Sequence, residues 1–379
     1  MIHTKTKKKV LKLKRPFRIV IKLILVVLIL VLVSFSFYRY QIKSITKLGY
    51  SEVASKRILV LLKKDYVSGI PYSETLNAAF ESNDYKEEYL GNYQKITYQK
   101  QEHLIKNINT LIEKGYSNSN ISLILSRGSD EDVAEFAKRD KVKYLEEFYD
   151  VSYAKIKYYD QYVEYSKETG EDEETTVLYV NLGMNNDNYT NATVVKDFST
   201  LMLVNKHFQL EKDFKPDNLV TIDDKYTNGE EQKGVGVAVK SFISMYEAAK
   251  KEGLTLVINS SYRSYDDQEA LCEEYRRWYG DNYVNRYVAY PGYSEHQTGL
   301  AFDIGSATSN VFANSEEYVW IKDNAYKYGF IYRFPQKGET ITGFRHEPWH
   351  YRYVGVEAAK YIYENNMTLE EYYAVFLDN

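Results

Sequence analysis

From residue 23 to residue 38 the chain is almost unbroken apolar sequence, and residues 19–21 extend the run past Lys22. Lys22 and Arg39 can lay their stems along lipid and keep their charges at its edge, so the run is long enough to cross a bilayer. Before it stand Lys5, Lys7, Lys8, Lys9, Lys12, Lys14, Arg15 and Arg18, with no acid among them. Basic flanks stay on the cytoplasmic side, which puts the rest of the chain outside. A cleavable signal peptide is the rival reading, because a basic region followed by an apolar core fits that too. No small-residue cleavage site follows, and Ser34-Phe35-Ser36 is a poor substitute for one. No cysteine lies near the span to carry a lipid. The expectation is a cytoplasmic basic tail over residues 1–18 and an uncleaved single-pass anchor over 19–40.

Charge follows the same division. The first 51 residues hold twelve Lys and Arg and no acid, which leaves −16 on the remainder of a chain whose net charge is −4. An acidic exterior portion argues against a nucleic-acid partner, whose phosphates reward a basic surface. The one cysteine, Cys272, permits no internal disulfide and reads as a small buried apolar residue. An exported protein without disulfides must rely on its core, and 379 residues are enough to build one.

Residues 41–170 are rich in Tyr, Lys, Glu, Leu and Ile at helical spacing, with few strand signals. Leu48-Gly49-Tyr50-Ser51 recurs as Lys114-Gly115-Tyr116-Ser117, and an Ile-Leu pair follows each, Ile58-Leu59 and Ile124-Leu125. Each copy later reaches a tyrosine-rich stretch, residues 85–98 and 144–165. This reads as packed helical hairpins, with the Ser after Gly-Tyr capping the next helix. Two uses remain open: a spacer that holds a catalytic domain off the membrane, or a module that binds wall or partner through its tyrosines. The acidic stretch 168–176, with Gly170, is expected to be a linker.

The chemistry is concentrated near the C-terminus. Six histidines occur, and His296, His346 and His350 fall in one window. Ser294-Glu295-His296-Gln297-Thr298-Gly299-Leu300-Ala301-Phe302-Asp303 is followed later by Glu347-Pro348-Trp349-His350. Zinc takes imidazole nitrogen and carboxylate oxygen, and a catalytic site needs three protein ligands plus an open water position. His296, Asp303 and His350 supply such a set, and Glu347 is a spare carboxylate that can take a proton from water. Pro348 forbids an ordinary helix interior here, so the ligands do not share one helix face. Gly299 permits a tight turn between His296 and Asp303, and a loop-to-strand bend can bring both side chains to one point. The plain alternatives are a strand-end turn residue for Asp303 and a surface ion-pair partner for Glu347. His3 lies in the basic tail, His103 and His207 lack a partner pattern, and His346 reads as a pocket wall or surface residue.

These residues resemble the VanY-type zinc D,D-/L,D-carboxypeptidases of bacterial cell walls, which show S-x-H-x-x-G-x-A-x-D and E-x-W-H; both stand here without departure. Ser260-Ser261-Tyr262-Arg263-Ser264-Tyr265 with Gln268 resembles that family's substrate-binding segment. Leu203-Val204-Asn205-Lys206 and Pro216-Asp217-Asn218-Leu219-Val220 resemble its lead-in. The resemblance covers roughly residues 175–375 and says nothing about residues 1–170. It implies a Zn2+ cofactor on His296, Asp303 and His350, with Glu347 as base. It also implies that Arg263 contacts the substrate or its oxyanion; spacing alone would leave Arg263 a surface arginine. Gln268 and Ser294 are substrate-contact candidates that could equally brace loops. Tyr262 and Trp349 could line the pocket or belong to the core.

The implied activity is removal of the C-terminal D-Ala from peptidoglycan stem peptides, with D,D- preferred over L,D-specificity. A cross-link endopeptidase and a catalytically inactive wall-binding receptor are the alternatives. The catalytic domain, residues 171–379, is expected to be α+β. Its small antiparallel sheet would carry the zinc on one face and be flanked by helices. Strands are expected at 176–182, 254–260, 300–305, 330–333 and 350–354. Helices are expected at 235–252, 266–279, 315–328 and 356–365, with Gly329 stopping the third.

Overall fold

The computed structural model describes residues 15–377, so most of the basic tail expected at 1–18 lies outside the described residues. The chain divides into two compact units, Met1–Lys143 and Tyr144–Asn379. The division falls inside the 41–170 stretch that composition alone treats as one region.

The first unit opens with a helix, Arg15–Thr46, whose apolar stretch is long enough to cross a membrane and is exposed along its length. Its last turns differ: Ile42 and Ile45 are buried in the unit. Short helices follow, and serines start them as expected. Ser51 accepts a hydrogen bond from the Ala54 amide, and Ser117 from the Asn120 amide. The glycines two residues earlier, Gly49 and Gly115, have φ of 105° and 82°, a region that favours glycine.

The repeat is also written in buried hydrogen bonds. Tyr93 Oη accepts from the Lys86 amide at 3.2 Å and donates to Asn109 Oδ1 at 2.6 Å; Asn109 Nδ2 donates to the Asp84 carbonyl at 2.7 Å. Inside the second unit, Tyr162 Oη accepts from the Lys155 amide and donates to Asn181 Oδ1, while Asn181 Nδ2 donates to the Tyr153 carbonyl. One tyrosine and one asparagine satisfy the same backbone groups in both places.

Asn181 ends the helix Glu173–Asn181, which replaces the strand expected at 176–182. Asp172 accepts from the Thr175 amide, and Glu173 and Glu174 sit in the positive first turn. These start signals override the β-branched Thr175-Thr176-Val177 run. The linker expected at 168–176 is instead a tight helix–turn–helix. The helix Tyr159–Thr169 stops at Gly170, at φ 72°, and Asp172 begins the next one.

The rest of the second unit is built on a four-stranded sheet: β1 Leu256–Ser260, β2 Ala301–Ser306, β3 Phe330–Tyr332 and β4 His350–Tyr353. Their order is β1-β2-β4-β3, antiparallel throughout. Strands alternate faces. Phe302, Ile304, Phe330, Tyr351 and Tyr353 join the hydrophobic core with Phe242 and Met245 of the helix Gly236–Lys251. Gly234 is needed there, since a Cβ would stand 2.8 Å from the Phe302 ring. Asp303 opposes His350 in the β2–β4 register, and Ala301 opposes Arg352. The expected helix stop at Gly329 is present, at φ 82°.

Candidate metal centre and its cavity

Three local structures converge. The β2–β4 register fixes Asp303 beside His350. His296 comes from a 3-10 turn, Glu295–Thr298, that ends at Gly299 with φ 65°. A Cβ on Gly299 would come within 2.9 Å of a Leu219 methyl, so both the turn and its packing call for glycine. The result puts ligand atoms of His296, Asp303 and His350 within 4.8 Å of one another.

The ring nitrogens are assigned by their second partners. His296 Nδ1 lies 2.7 Å from the Ser261 carbonyl, which can only accept, so Nδ1 carries the hydrogen. Its Nε2 is left facing Asp303 Oδ2 at 3.4 Å. His350 Nδ1 lies 3.2 Å from Asp303 Oδ1 and 3.6 Å from Glu347 Oε2. Two imidazole nitrogens and one carboxylate therefore point at one small volume, with a second carboxylate beside them. This donor set fits a tetrahedral zinc site that keeps one position open.

Electrostatics match a cation site. Burial opposes ionisation of Asp303, but His296 and His350 outweigh it and hold the carboxyl far below its usual range. Burial likewise lowers His296, against the pull of Asp303. For His350, burial is outweighed by the hydrogen bonds to Asp303 and Glu295, which raise it to about 9. A proton there bridges the carboxylates as a metal ion would. Desolvation pushes Glu347 up to about 7, with the charge of His350 acting the other way and that of Asp303 adding to the rise.

All seven residues singled out in the sequence, Arg263, Gln268, Ser294, His296, Asp303, Glu347 and His350, line one cavity. Arg263 sits just past the end of β1. Its Nη1 donates to Gln268 Oε1 at 2.7 Å and its Nη2 to Ser260 Oγ at 2.9 Å, which fixes the plane of the fork. Gln268 Nε2 donates to the Ala289 carbonyl at 2.7 Å, so both ends of that amide are engaged within the protein. Ser294 Oγ accepts from the His296 amide at 3.4 Å. Trp349 and four tyrosines, Tyr275, Tyr283, Tyr287 and Tyr293, also line it, and Tyr262 does not. His346 pairs with Tyr332 outside this cavity.

Sequence reasoning missed what stands behind the ligands. Glu295 is buried against Arg333 and Arg352, at 2.8 and 2.9 Å. Burial works against its ionisation, yet the two guanidinium groups hold its carboxyl well below the usual range. Arg333 also forks around Glu370, at 2.6 and 2.9 Å. The available signal was an arginine inside or at the end of each of two apolar strand patterns, Phe-Ile-Tyr-Arg333 and His-Tyr-Arg352-Tyr-Val. A charge at a core position needs a buried partner.

The chain is similar to known proteins. The profile of the VanY family, D-alanyl-D-alanine carboxypeptidase, matches residues 235–356. YodJ of Bacillus subtilis (strain 168) is 42% identical over 192 residues, 48% of this chain and 69% of that protein. A D-alanyl-D-alanine carboxypeptidase of Enterococcus faecalis (strain ATCC 700802 / V583) is 36% identical over 159 residues, 39% of this chain and 58% of its own length. Among solved structures, a mutant of the vancomycin resistance D,D-pentapeptidase VanY in complex with Zn(II) is 33% identical. It covers 46% of this chain and 99% of that one, with a TM-score of 0.41.

Proposed function

The chain belongs to the VanY family of D-alanyl-D-alanine carboxypeptidases, and from that premise we propose that it is a membrane-anchored zinc enzyme that removes the terminal D-Ala from peptidoglycan stem peptides. One observation carries the reading: a fixed guanidinium and a carboxyl raised by desolvation share a cavity with three convergent metal ligands.

His296 Nε2, an Asp303 oxygen and His350 Nδ1 would hold the ion. A zinc ion there supplies Lewis acidity and lowers the pKa of a coordinated water toward neutrality. Glu347 accepts the proton from the attacking water and hands it to the leaving amine of D-Ala. A carboxyl poised near 7 can do both at neutral pH. Arg263 offers its fork to the terminal carboxylate or to the oxyanion, held in plane by Gln268 and Ser260. Ser294 keeps the turn that carries His296 in shape. The product is a stem peptide shorter by one residue. The family's description, D-alanyl-D-alanine carboxypeptidase, is the ground for preferring D,D-specificity with pentapeptide as the substrate, and L,D-specificity stands as the second reading.

The helix Arg15–Thr46 serves as the anchor, with the catalytic unit on the wall side. Burial of Ile42 and Ile45 ties its outer end to the first unit and favours an uncleaved helix. Mass spectrometry of muropeptides incubated with residues 41–379, a fragment that keeps both isoleucines, tests the activity. Release of one D-Ala from pentapeptide is expected. Action on tetrapeptide alone would replace D,D- by L,D-specificity. Cleaved cross-linked dimers would make the protein an endopeptidase, and an inert, metal-free protein would make it a receptor.

A further inference from the structure

Four ionisable side chains behind the metal ligands take no part in the hydrolytic scheme. Glu295, Arg333, Arg352 and Glu370 are each 4% exposed or less. Taking such charges out of water costs several kcal/mol per ion, roughly, before they pair, and apolar replacements are often as stable. Stability alone is therefore a poor account of them.

Their geometry gives a better one. Glu295 divides its two oxygens between two tasks. Oε1 accepts from Arg333 Nε at 2.8 Å and from Arg352 Nη1 at 2.9 Å. Oε2 faces His350 Nε2 at 3.2 Å. The carboxylate is thus held from behind by two guanidinium groups and aimed at a ligand ring. Both arginines are themselves held. Arg352 Nη2 donates to the Thr200 and Met202 carbonyls at 3.1 and 2.9 Å. Arg333 clasps Glu370 in the first turn of the C-terminal helix, Leu369–Phe376, and Asn205 Nδ2 donates to the same Glu370 at 3.0 Å.

We propose that Glu295 is a positioning residue for the metal centre: it takes the Nε2 hydrogen of His350, so that Nδ1 presents its lone pair to the ion, and Glu370 of the C-terminal helix fixes Glu295 through Arg333. This rests on the reading of His296, Asp303 and His350 as the metal ligands. The opposite tautomer would set a ring lone pair against the Glu295 carboxylate, and a flipped ring would lose both of its partners. One 3-10 turn thereby serves two ligands. It carries His296 on its backbone and orients His350 through the side chain one residue earlier. A ligand already turned to face the ion is more basic and loses less freedom on binding.

The test uses the full chain in detergent. Zinc affinity is measured by chelator competition, and thermal unfolding is followed with and without saturating zinc. Glu295→Gln offers an amide that can donate to His350 Nε2 and so stabilise the wrong tautomer. It is expected to weaken zinc binding roughly 10- to 100-fold and to shrink the rise in Tm that zinc produces. Glu370→Gln, which touches no ligand, is expected to move both readouts the same way by less. Nitrogen-15 spectra of the His350 ring in metal-free protein, taken at a pH above the point where that ring loses its second proton, should show the Nε2–H tautomer in the parent and a mixture in Glu295→Gln. Parent-like zinc affinity in both variants, with Tm lowered equally in metal-free and zinc-loaded protein, would reduce the cluster to a structural ion network and overturn the proposal. If Glu295→Gln does not fold, Glu370→Gln alone decides between those outcomes. A parent protein that fails to bind zinc would overturn the metal reading beneath it.

Discussion

In the unit ending at Lys143, the buried polar groups are neutral and recruited locally: Tyr93 and Asn109 satisfy the backbone of Asp84 and Lys86. Behind the proposed metal ligands of the second unit the buried polar groups are charged and gathered from afar. Glu295, Arg333, Arg352 and Glu370 come from a turn, two strand patterns and the last helix. The neutral module recurs at Tyr162 and Asn181, as an architectural part does. The charged cluster occurs beside the ligand it touches. A neutral hydrogen bond is inexpensive to bury and easily duplicated. A buried ion set is costly, which suits a place where orientation matters more than stability.

The sharpest contrast lies in the chemistry. Glu347→Ala should lower turnover by about 10²- to 10⁴-fold while zinc stays bound, whereas His296→Ala, Asp303→Ala or His350→Ala should lose the metal as well. Turnover and metal content measured on the same samples check this, and near-normal turnover in Glu347→Ala would remove the base from the scheme. Stability comes next. Arg333→Ala takes from buried Glu370 its salt bridge and from buried Glu295 one of its two guanidinium partners, and should cost about 3–5 kcal/mol in denaturant unfolding. A cost under about 1 kcal/mol would mean that water already reaches the cluster.

Smaller effects belong to the neutral module. Tyr93→Phe and Tyr162→Phe each strip one hydroxyl from an amide donor and an asparagine acceptor, for about 1–3 kcal/mol. Similar losses in the two would support equivalent modules, and a large disparity would break the comparison between units. The smallest effect is expected from deletion. A fragment beginning at Tyr144 keeps the second compact unit whole and should hydrolyse soluble stem peptide within about twofold of residues 41–379. A fragment beginning near residue 171 keeps Asn181 but loses Tyr153 and Tyr162, its partners, and should unfold at lower temperature. Equal stability of the two fragments would show that the preceding helices contribute nothing to the catalytic unit.

Much of this molecule was written locally. The long apolar helix Arg15–Thr46 follows from an apolar run, and four of the five expected strands follow from short apolar patterns. The helix at 173–181 was misread because its β-branched residues suggest a strand, while the start signal that decides it, Asp172 with two glutamates, lay in what looked like a linker. Its buried face, with Val177, Leu178 and Val180, then settled the matter through packing.

The candidate ligand set was legible because zinc chemistry restricts residue type and the motifs hold those types at fixed spacing. Sequence alone determined which groups are on offer: two imidazoles and two carboxylates. Tertiary structure decided how they meet. Asp303 and His350 are 47 residues apart and become neighbours only through the β2–β4 register. Glu295 and Glu370 are linked only through an arginine that lies far from both in the chain. Spacing along a chain carries the short-range bends and caps. The burial of a charge, and the choice of the partner that makes it tolerable, depend on elements that sequence order keeps apart and only packing brings together.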